Sequence, residues 1–323
     1  MAEVDISSGA AAKRKRWPLL RDLGVRLIKE KPLGTVGGVI VLLMFLTGIF
    51  ADFLAPYGMD EINLEARLSP PSVQFRLGTD NIGRDMLSRV IFGARVSMIV
   101  GVASMTISIC ISTLIGIFCG FLGGKFDIVM QRFVDAWMSF PWLILLITVM
   151  AILGPGLMQI IIVLGVGGGI GGSRIIRSAV IGIKENMYVA AAMSVGASTW
   201  QILTRHLLPN IMAPIIILFT IGMGGVILAE ASLSFLGFGI PPPQPSWGGM
   251  LSGSGRVYML QAPWMAIWPG LALSVVVFGI NMLGDAVRDI LDPRLRGGLG
   301  RYGGTRVKVR KDTIEGRAKC DSE

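Results

Sequence analysis

The single histidine, His206, is the first side chain in this sequence that could serve in acid–base or metal chemistry. A zinc site needs three or four ligands, and nothing near His206 in the sequence supplies the others. The three cysteines, Cys110, Cys119 and Cys320, show neither zinc-site nor disulfide spacing. An intramembrane protease would need a nucleophile and a base at membrane depth, whereas His206 is predicted to lie in a loop. We therefore expect no catalytic residue and no metal on this chain.

Two glycine-rich stretches have the appearance of nucleotide-binding motifs but lack the required context. GGGIGG (167–172) has G-x-G-x-x-G spacing, yet it ends an apolar run of membrane length, and no acidic residue follows at about 20 residues. GFLGGKF (120–126) lacks the first glycine of a phosphate loop and has Phe126 where a magnesium-binding hydroxyl belongs. The chain is therefore predicted to bind no nucleotide itself. The small residues of GGGIGG instead favour tight packing or bending of a span.

The composition is that of a membrane protein, with 52% hydrophobic and only 16% charged residues among 323. Six apolar segments are predicted to span the bilayer, because each is close to the length that crosses the hydrocarbon layer. The predicted fold class is thus an all-α, polytopic membrane protein with six transmembrane helices. The predicted spans are 33–54, 96–120, 133–153 (with Pro141 inside it), 156–172, 211–231 and 265–284.

The net charge of +9 is explained by topology, because the basic residues cluster at the two termini outside the apolar runs. No nucleic-acid partner is therefore expected. Lys and Arg are also richer in the segments after spans two, four and six than in those after spans three and five, which places both termini in the cytoplasm. The chain then divides into a basic cytoplasmic segment (1–32), a first helix with an extracytoplasmic loop (33–95), a transmembrane helical domain (96–290) and a basic cytoplasmic tail (291–323).

The segment YVAAAMSVGASTWQILTRHLLPN (188–210) is predicted to form a helix, a glycine turn and a second helix in the longest cytoplasmic loop. Gly196 suits the left-handed position after a helix. Ser198 and Gln201 match a capping box. Trp200, Leu203 and Leu207 form one apolar stripe, and Pro209 is predicted to stop the second helix. Two interpretations stay open at this point: a docking element for a partner, or interfacial helices lying on lipid.

Ionisable residues near the spans are few, and Glu230 is the most notable because its neighbours are apolar. Its position at the outer end of span five makes it a candidate pore or gate residue. The others are predicted to be interfacial anchors. In the outer loop, Thr79 or Asp80 is predicted to cap a short helix and Asp85 to pair with Arg89. That helix would form either a vestibule for a partner or a rigid support for span two.

The 188–210 segment resembles the coupling loop of bacterial ABC-type importer permeases. The positions that match are Ala191, Ala192, Gly196, His206 and Pro209. Further motifs in the same order are similar to the C-type subunit of the dipeptide, oligopeptide and nickel permease family. They are RLGTDNIGRDMLSRVIFGARVS (76–97), LGPG (153–156), AEASLSFLGFGIPPPQPSWGGML (229–251), QAPWMAIWPGLAL (261–273) and NMLGDAVRDILDPR (281–294).

The resemblance implies a permease subunit in a bacterial or archaeal plasma membrane, forming half of a translocation path for short peptides. It implies a second homologous permease, two ATP-binding subunits that carry ATP and magnesium, and an extracytoplasmic solute-binding protein. Permeation of nickel or another small solute is the nearest alternative, and an ion-coupled secondary transporter is a further one. One departure stands out: Ala190 occupies the position of the glutamate that is usual in the coupling loop, and Met193 that of a frequent arginine.

Overall fold

The computed structural model describes residues 19–291, which are helical throughout apart from loops and one isolated β-bridge, Thr79–Asp85. The first helices are α1 (Leu19–Glu30), α2 (Pro32–Ile49), α3 (Ala51–Leu54), α4 (Met86–Leu122), α5 (Gly124–Met138), α6 (Trp142–Leu153) and α7 (Leu157–Lys184). They are followed by α8 (Met187–Ser194), α9 (Thr199–Gln201), a π-helix (Ile202–Leu207), α10 (Leu208–Asn210), α11 (Met212–Phe235), α12 (Trp247–Leu251), α13 (Gly253–Val257) and α14 (Trp264–Leu291). A 3₁₀ turn covers Leu64–Ala66. The predicted tail, 291–323, lies almost wholly outside the described residues.

Within residues 19–291, five helices are long and apolar enough to cross a membrane: α2, α4, α7, α11 and α14. The third predicted span, 133–153, is not a single continuous helix. It is divided into α5 and α6, which are bent by 87° at a short break. Pro141 lies at that break and forces it, because proline has no N–H to continue the helix and restricts the residue before it.

Two spans are longer than the apolar pattern indicates. α4 begins at Met86 rather than near residue 96, and α7 continues to Lys184 rather than ending near residue 172. The extra turns of α7 carry Arg174 and Arg177, whose charges are paired with Asp135 and Asp127 on α5. A hydropathy pattern stops at such charges, whereas the helix continues because the neighbouring helix supplies partners.

Small residues allow α4 and α7 to approach closely along their length. A Cβ added at Gly165 would lie 2.8 Å from Ile107 Cβ, and one added at Gly116 would lie 2.6 Å from Ile176 Cβ. Ser112 Oγ donates a hydrogen bond of 2.8 Å across the pair to the carbonyl oxygen of Gly169. The prediction of tight packing at GGGIGG is confirmed, since a Cβ at Gly169 would meet Ile111 at 2.7 Å.

The first membrane-spanning helix, α2, packs against the last one, α14. A Cβ added at Gly279 of α14 would lie 2.6 Å from Ile40 on α2, so the two backbones are in near contact. Lys31 Nζ, at the start of α2, donates a 2.6 Å hydrogen bond to Asp289 near the end of α14. These contacts attach the N-terminal helices to the rest of the bundle.

The loop before α4 is built around Asp80 and not around the predicted pair Asp85–Arg89. Asp80 accepts bonds from the backbone N–H groups of Ile82 and Arg84 and from Arg84 Nε at 2.7 Å. Arg89 Nε lies 3.9 Å from the same carboxylate. Asp85 is instead the N-cap of α4, accepting from the Ser88 N–H at 2.8 Å, so neither Thr79 nor Asp80 is the cap.

Candidate functional site

The segment between α7 and α11 has the predicted helix–turn–helix form. α8 ends before Gly196, whose φ of +85° is the left-handed conformation expected after a helix. Ser198 and Gln201 form both hydrogen bonds of the capping box, at 3.3 and 3.0 Å. The local prediction for these residues is therefore confirmed.

The second half of this segment differs from the prediction in two respects. It widens into the π-helix, and Pro209 lies inside α10 rather than ending the helix. The Leu208 N–H reaches back to the Leu203 carbonyl, which gives the i to i−5 pairing of a π turn. Trp200 is also misplaced in the predicted apolar stripe, because its side chain is 69% exposed.

The buried face of this segment is instead formed by Ile202, Leu203 and Leu207, together with Val189 from α8. These side chains share one hydrophobic cluster with Ile117 of α4 and with Ile176 and Val180 of α7. The segment is thus packed on the ends of two spans. A displacement of the segment would be passed to those spans, because close-packed side chains leave little room to yield.

The outer face of this segment carries exposed apolar side chains. Met187 and Val195 are 88% and 89% exposed, and Tyr188, Met193 and Trp200 add to the same region. The predicted contact residues Ala191, Gly196 and Pro209 are exposed too, and Ala192 is half-buried. We refer to residues 187–200 as the docking face. An exposed apolar surface of this kind is typical of a protein–protein contact.

His206 is half-buried, and its ring centre lies 6.3 Å from that of Tyr188. Its carbonyl oxygen accepts a 2.6 Å bond from Asn210 Nδ2. Over residues 19–291, no group of three or more His, Cys, Asp or Glu side chains is placed to hold a metal ion. The position of His206 is that of a packing residue within the segment.

The end of α7 is joined to both neighbouring helices by charged side chains. Arg177 makes a two-point contact with the Asp127 carboxylate, in which Nε donates at 2.6 Å. Arg174 pairs with Asp135 one helical turn away. Lys184 Nζ donates at 2.6 Å to the Phe121 carbonyl at the end of α4. These contacts connect the end of α7 to α5 and to the end of α4.

Glu230 lies near the end of α11 and has no solvent exposure. Ser234 Oγ donates to its Oε1 at 2.7 Å, while Oε2 has no partner among the described residues. Ser234 also lines a cavity of about 340 Å³, whose wall includes Asp80, Arg84 and Ser246. Glu230 therefore lies next to this polar cavity, and Ser234 stands between them.

A second cavity, of about 490 Å³, lies between α4, α6, α7 and α11. Its wall includes Ser108, Ser112 and Ser232, together with glycines of α7 and α11. Sequence reasoning did not identify these residues. The available signal was the recurrence of small polar residues every four positions on α4, at Ser104, Ser108 and Ser112, which places them on one helix face.

Comparison with known proteins decides the family. The sequence model of the "binding-protein-dependent transport system inner membrane component" family matches residues 112–297, and that of the "N-terminal TM domain of oligopeptide transport permease C" matches residues 21–71. The chain belongs to this permease family. It is accordingly a multi-pass membrane transport subunit and not an enzyme. The ion-coupled secondary transporter and the intramembrane enzyme are no longer alternatives.

Similar members of the permease family cover most of the chain. The dipeptide transport system permease protein DppC of Alkalihalophilus pseudofirmus is 38% identical over 83% of this chain and 88% of its own length. The oligopeptide transport system permease protein OppC of Bacillus subtilis is 37% identical over 90% and 95%. The glutathione transport system permease protein GsiD of Pectobacterium atrosepticum is 35% identical over 86% and 95%.

The fold is shared with a solved ABC transporter. A chain of the inward-facing MetNI methionine transporter superposes with a TM-score of 0.52 at 18% identity, covering 64% of this chain and 98% of its own. This likeness concerns the fold alone. Family membership implies a binding protein, ATP-binding subunits and a second permease as partners of this permease.

Proposed function

We propose that this permease carries short peptides inward, as one of two homologous permease subunits, each with an ATP-binding subunit at its docking face. A separate solute-binding protein delivers the peptide from outside. The peptide as solute is supported by the names of the relatives, which are dipeptide, oligopeptide and glutathione permeases. Nickel is a weaker candidate, because no feature of the described residues favours it over a peptide.

The observation that carries the proposal is the construction of the 187–210 segment. Its outer face is apolar and exposed, and its inner face is buried against the ends of α4 and α7. A partner that closes on ATP and grips the docking face would move those helix ends. The charged contacts of Arg177 and Lys184 would carry the movement to α5 and to the end of α4.

The alanine at position 190 is compatible with the same docking role, but it makes an apolar contact where the usual glutamate would make a charged one. Ala190 is exposed, and the exposed apolar side chains near it in the sequence include Met187, Met193 and Val195. We infer that this loop binds its ATP-binding subunit through apolar contact and shape. The affinity should then depend little on ionic strength, because exposed ion pairs are the contacts that salt screens.

The proposed orientation places the docking face and both termini in the cytoplasm of a bacterial cell. The support is the distribution of basic residues, since Arg174, Arg177, Lys184 and Arg205 all lie on the docking-face side. On that side the ATP-binding subunit has access to ATP. The outer polar cavity and Glu230 then face the solute-binding protein, and Glu230 is proposed as a residue of the outer gate.

The experiment is co-purification of the complete four-subunit complex with single changes in this permease. Gly196→Val should weaken retention of the ATP-binding subunit, because a β-branched residue is strained at a φ of +85° and the docking face would change shape. The matched control is Gly154→Val. Gly154 has a φ of +82° and open space around it, as Gly196 does, but it lies between α6 and α7 at the opposite end of the bundle.

A second variant removes contact area without straining the backbone. Trp200→Ser deletes an exposed ring, so the permease should fold normally and still lose ATP-binding subunit. Loss with Gly196→Val and Trp200→Ser, but not with Gly154→Val, supports the proposal. Equal retention in all three variants would contradict it. Uptake of a labelled dipeptide by the wild-type complex tests the solute.

A further inference from the structure

The 490 Å³ cavity between α4, α6, α7 and α11 has a composition that sets it apart from the other cavities within the bundle. Three serines and four glycines contribute to its wall, and none of its lining residues is ionisable. Another cavity, of about 280 Å³, lies between α2, α4, α12 and α14 and is lined by apolar side chains, Trp247 among them, with Thr47 as its single hydroxyl. The larger cavity is therefore uncharged but able to form hydrogen bonds.

Glycines make the space. A Cβ added at Gly168 would lie 3.2 Å from Ser108 Oγ, and one added at Gly222 would lie 2.6 Å from Met105 Cε. Gly225 is different, because an added Cβ would meet no atom within 4 Å. Gly225 thus faces open volume, and its backbone is ordinary α-helix. A side chain at this position would enter the cavity without disturbing the wall.

The serine hydroxyls define what the wall can bind. Ser112 and Ser232 each donate at 2.8 Å to a carbonyl oxygen, of Gly169 and Leu228 respectively. Their oxygens keep lone pairs that accept from an N–H group. Ser108 is 5% exposed, and its hydroxyl forms no hydrogen bond with any other described residue. The wall thus offers acceptors at Ser112 and Ser232 and a free hydroxyl at Ser108.

The absence of charge on the described wall also limits the ligand. An ionised group placed there would lose its hydration without gaining a counter-ion, which is costly in a bilayer-depth site. An amide group can be satisfied by hydroxyls, and apolar side chains fit the aliphatic remainder of the wall. The volume falls in the range of about 300–1,000 Å³ that holds small molecules in other proteins.

We propose that this cavity is the part of the solute path contributed by this permease, and that it takes the amide and apolar side-chain portion of a short peptide. The inference rests on the proposed function. It assigns residues of this chain to the solute path: Ser108, Ser112 and Ser232 hydrogen-bond the amide, and Gly225 keeps the space open. Trp142 contributes the wall next to the α5–α6 break. Its ring packs so closely on Gly167 that an added Cβ would lie 2.7 Å away. The bend between α5 and α6 thereby sets one dimension of the cavity.

The test is a size series at Gly225 in the complete transporter reconstituted into vesicles. Gly225→Ala should lower uptake of labelled dialanine far less than a large side chain does, because its Cβ meets no wall atom and takes little of the cavity. Gly225→Trp should lower uptake by about tenfold or more, since a close-packed protein wall does not yield to a ring of that size. Gly171 supplies the control series. It lies in α7, an added Cβ there is also free of contacts, and it does not line the cavity.

Assembly is measured beside uptake, by co-purification of the other three subunits. Loss of uptake in Gly225→Trp, with intact assembly and normal uptake in Gly171→Trp, is the expected result. Normal uptake in Gly225→Trp would overturn the inference and leave the proposed function standing. Failed assembly in Gly225→Trp alone would also overturn it, by showing that the second permease fills the cavity. A wild-type complex that moves no peptide would remove the proposed function as well.

Discussion

Lys184 Nζ donates a hydrogen bond of 2.6 Å to the carbonyl oxygen of Phe121 and lies 5.4 Å from the centre of the Phe121 ring. This contact joins the last residue of α7 to the last turn of α4, shortly before the docking face (residues 187–200) begins. A cation at a helix C-terminus satisfies a carbonyl that has no partner within the helix. It also makes the two helix ends move together.

Replacement of Lys184 by methionine should therefore uncouple ATP hydrolysis from transport. The lost contact is worth about 1 kcal/mol in a partly exposed site, too little to unfold the permease. We expect the complex to assemble and hydrolyse ATP but to take up less peptide per ATP. Lys125→Met is the control, because Lys125 is exposed near the same helix ends and its side chain forms no hydrogen bond to another described residue. Equal coupling ratios in the two variants would contradict the role given to Lys184.

The close approach of α4 and α7 predicts a large effect at Gly116. Leucine at this position would collide with Ile176 and with the Arg177 backbone nitrogen, at 2.6 and 2.9 Å even for the Cβ alone. We expect Gly116→Leu to destabilise the permease by about 1–3 kcal/mol or to prevent its folding. Thermal unfolding in detergent measures the effect. Gly182→Leu, in the same helix pair but facing open space, should unfold as the wild type does.

Two substitutions at Glu230 separate a functional carboxyl from a structural one. Glu230→Gln keeps the volume and an oxygen for the Ser234 hydroxyl, so its stability should match the wild type. Glu230→Ala leaves a void and an unpartnered hydroxyl, and should lose about 2–4 kcal/mol. If the carboxyl belongs to the outer gate, the glutamine variant should assemble normally and transport poorly. Wild-type transport by Glu230→Gln would limit this residue to packing.

Asp52, just after α2, predicts a weak pH dependence of stability. Hydrogen bonds from Arg95 hold the pKa of Asp52 below its ordinary value of about 3.9. The folded state thus favours the ionised form, and the stabilisation is complete above pH about 4 and lost as the pH falls through the lowered pKa. Asp52→Asn should remove this part of the acid destabilisation, which tryptophan fluorescence between pH about 2 and pH about 5 would detect. Identical curves for the two proteins would show that the contact adds nothing.

The helical class and the helix–turn–helix shape of residues 188–210 follow from local patterns, whereas the family follows from the resemblance of several motifs in order. Apolar length predicts the spans, and the positions of Gly196, Ser198 and Gln201 predict a turn and a cap, because these features depend on residues within one turn of each other. The coupling-loop residues implied by the family resemblance lie on that segment. Their contact with an ATP-binding subunit stays a prediction.

The wrong predictions concern side chains whose surroundings are set by residues distant in the sequence. Trp200 has the spacing of a buried residue, but the ends of α4 and α7 cover Leu203 and Leu207 and leave the indole outside. Asp85 was predicted to pair with Arg89, whereas the fold brings Asp80 to that guanidinium and leaves Asp85 to cap α4. The charged end of α7 stays helical because α5 supplies carboxylates.

The sequence by itself thus determined that this chain is a helical membrane protein with a capped helix–turn–helix segment, and its motifs placed it by resemblance among the permeases. Periodicity, capping and proline chemistry act over a few residues and can be read in order along the chain. Only the tertiary structure decided that Pro141 becomes an 87° bend, that Glu230 lies next to a polar cavity, and that Ser108, Ser232 and Gly225 share a wall. The physical reason is that a cavity forms where the surfaces of several helices, which are distant in the sequence, surround a space without touching one another. No single segment encodes that space.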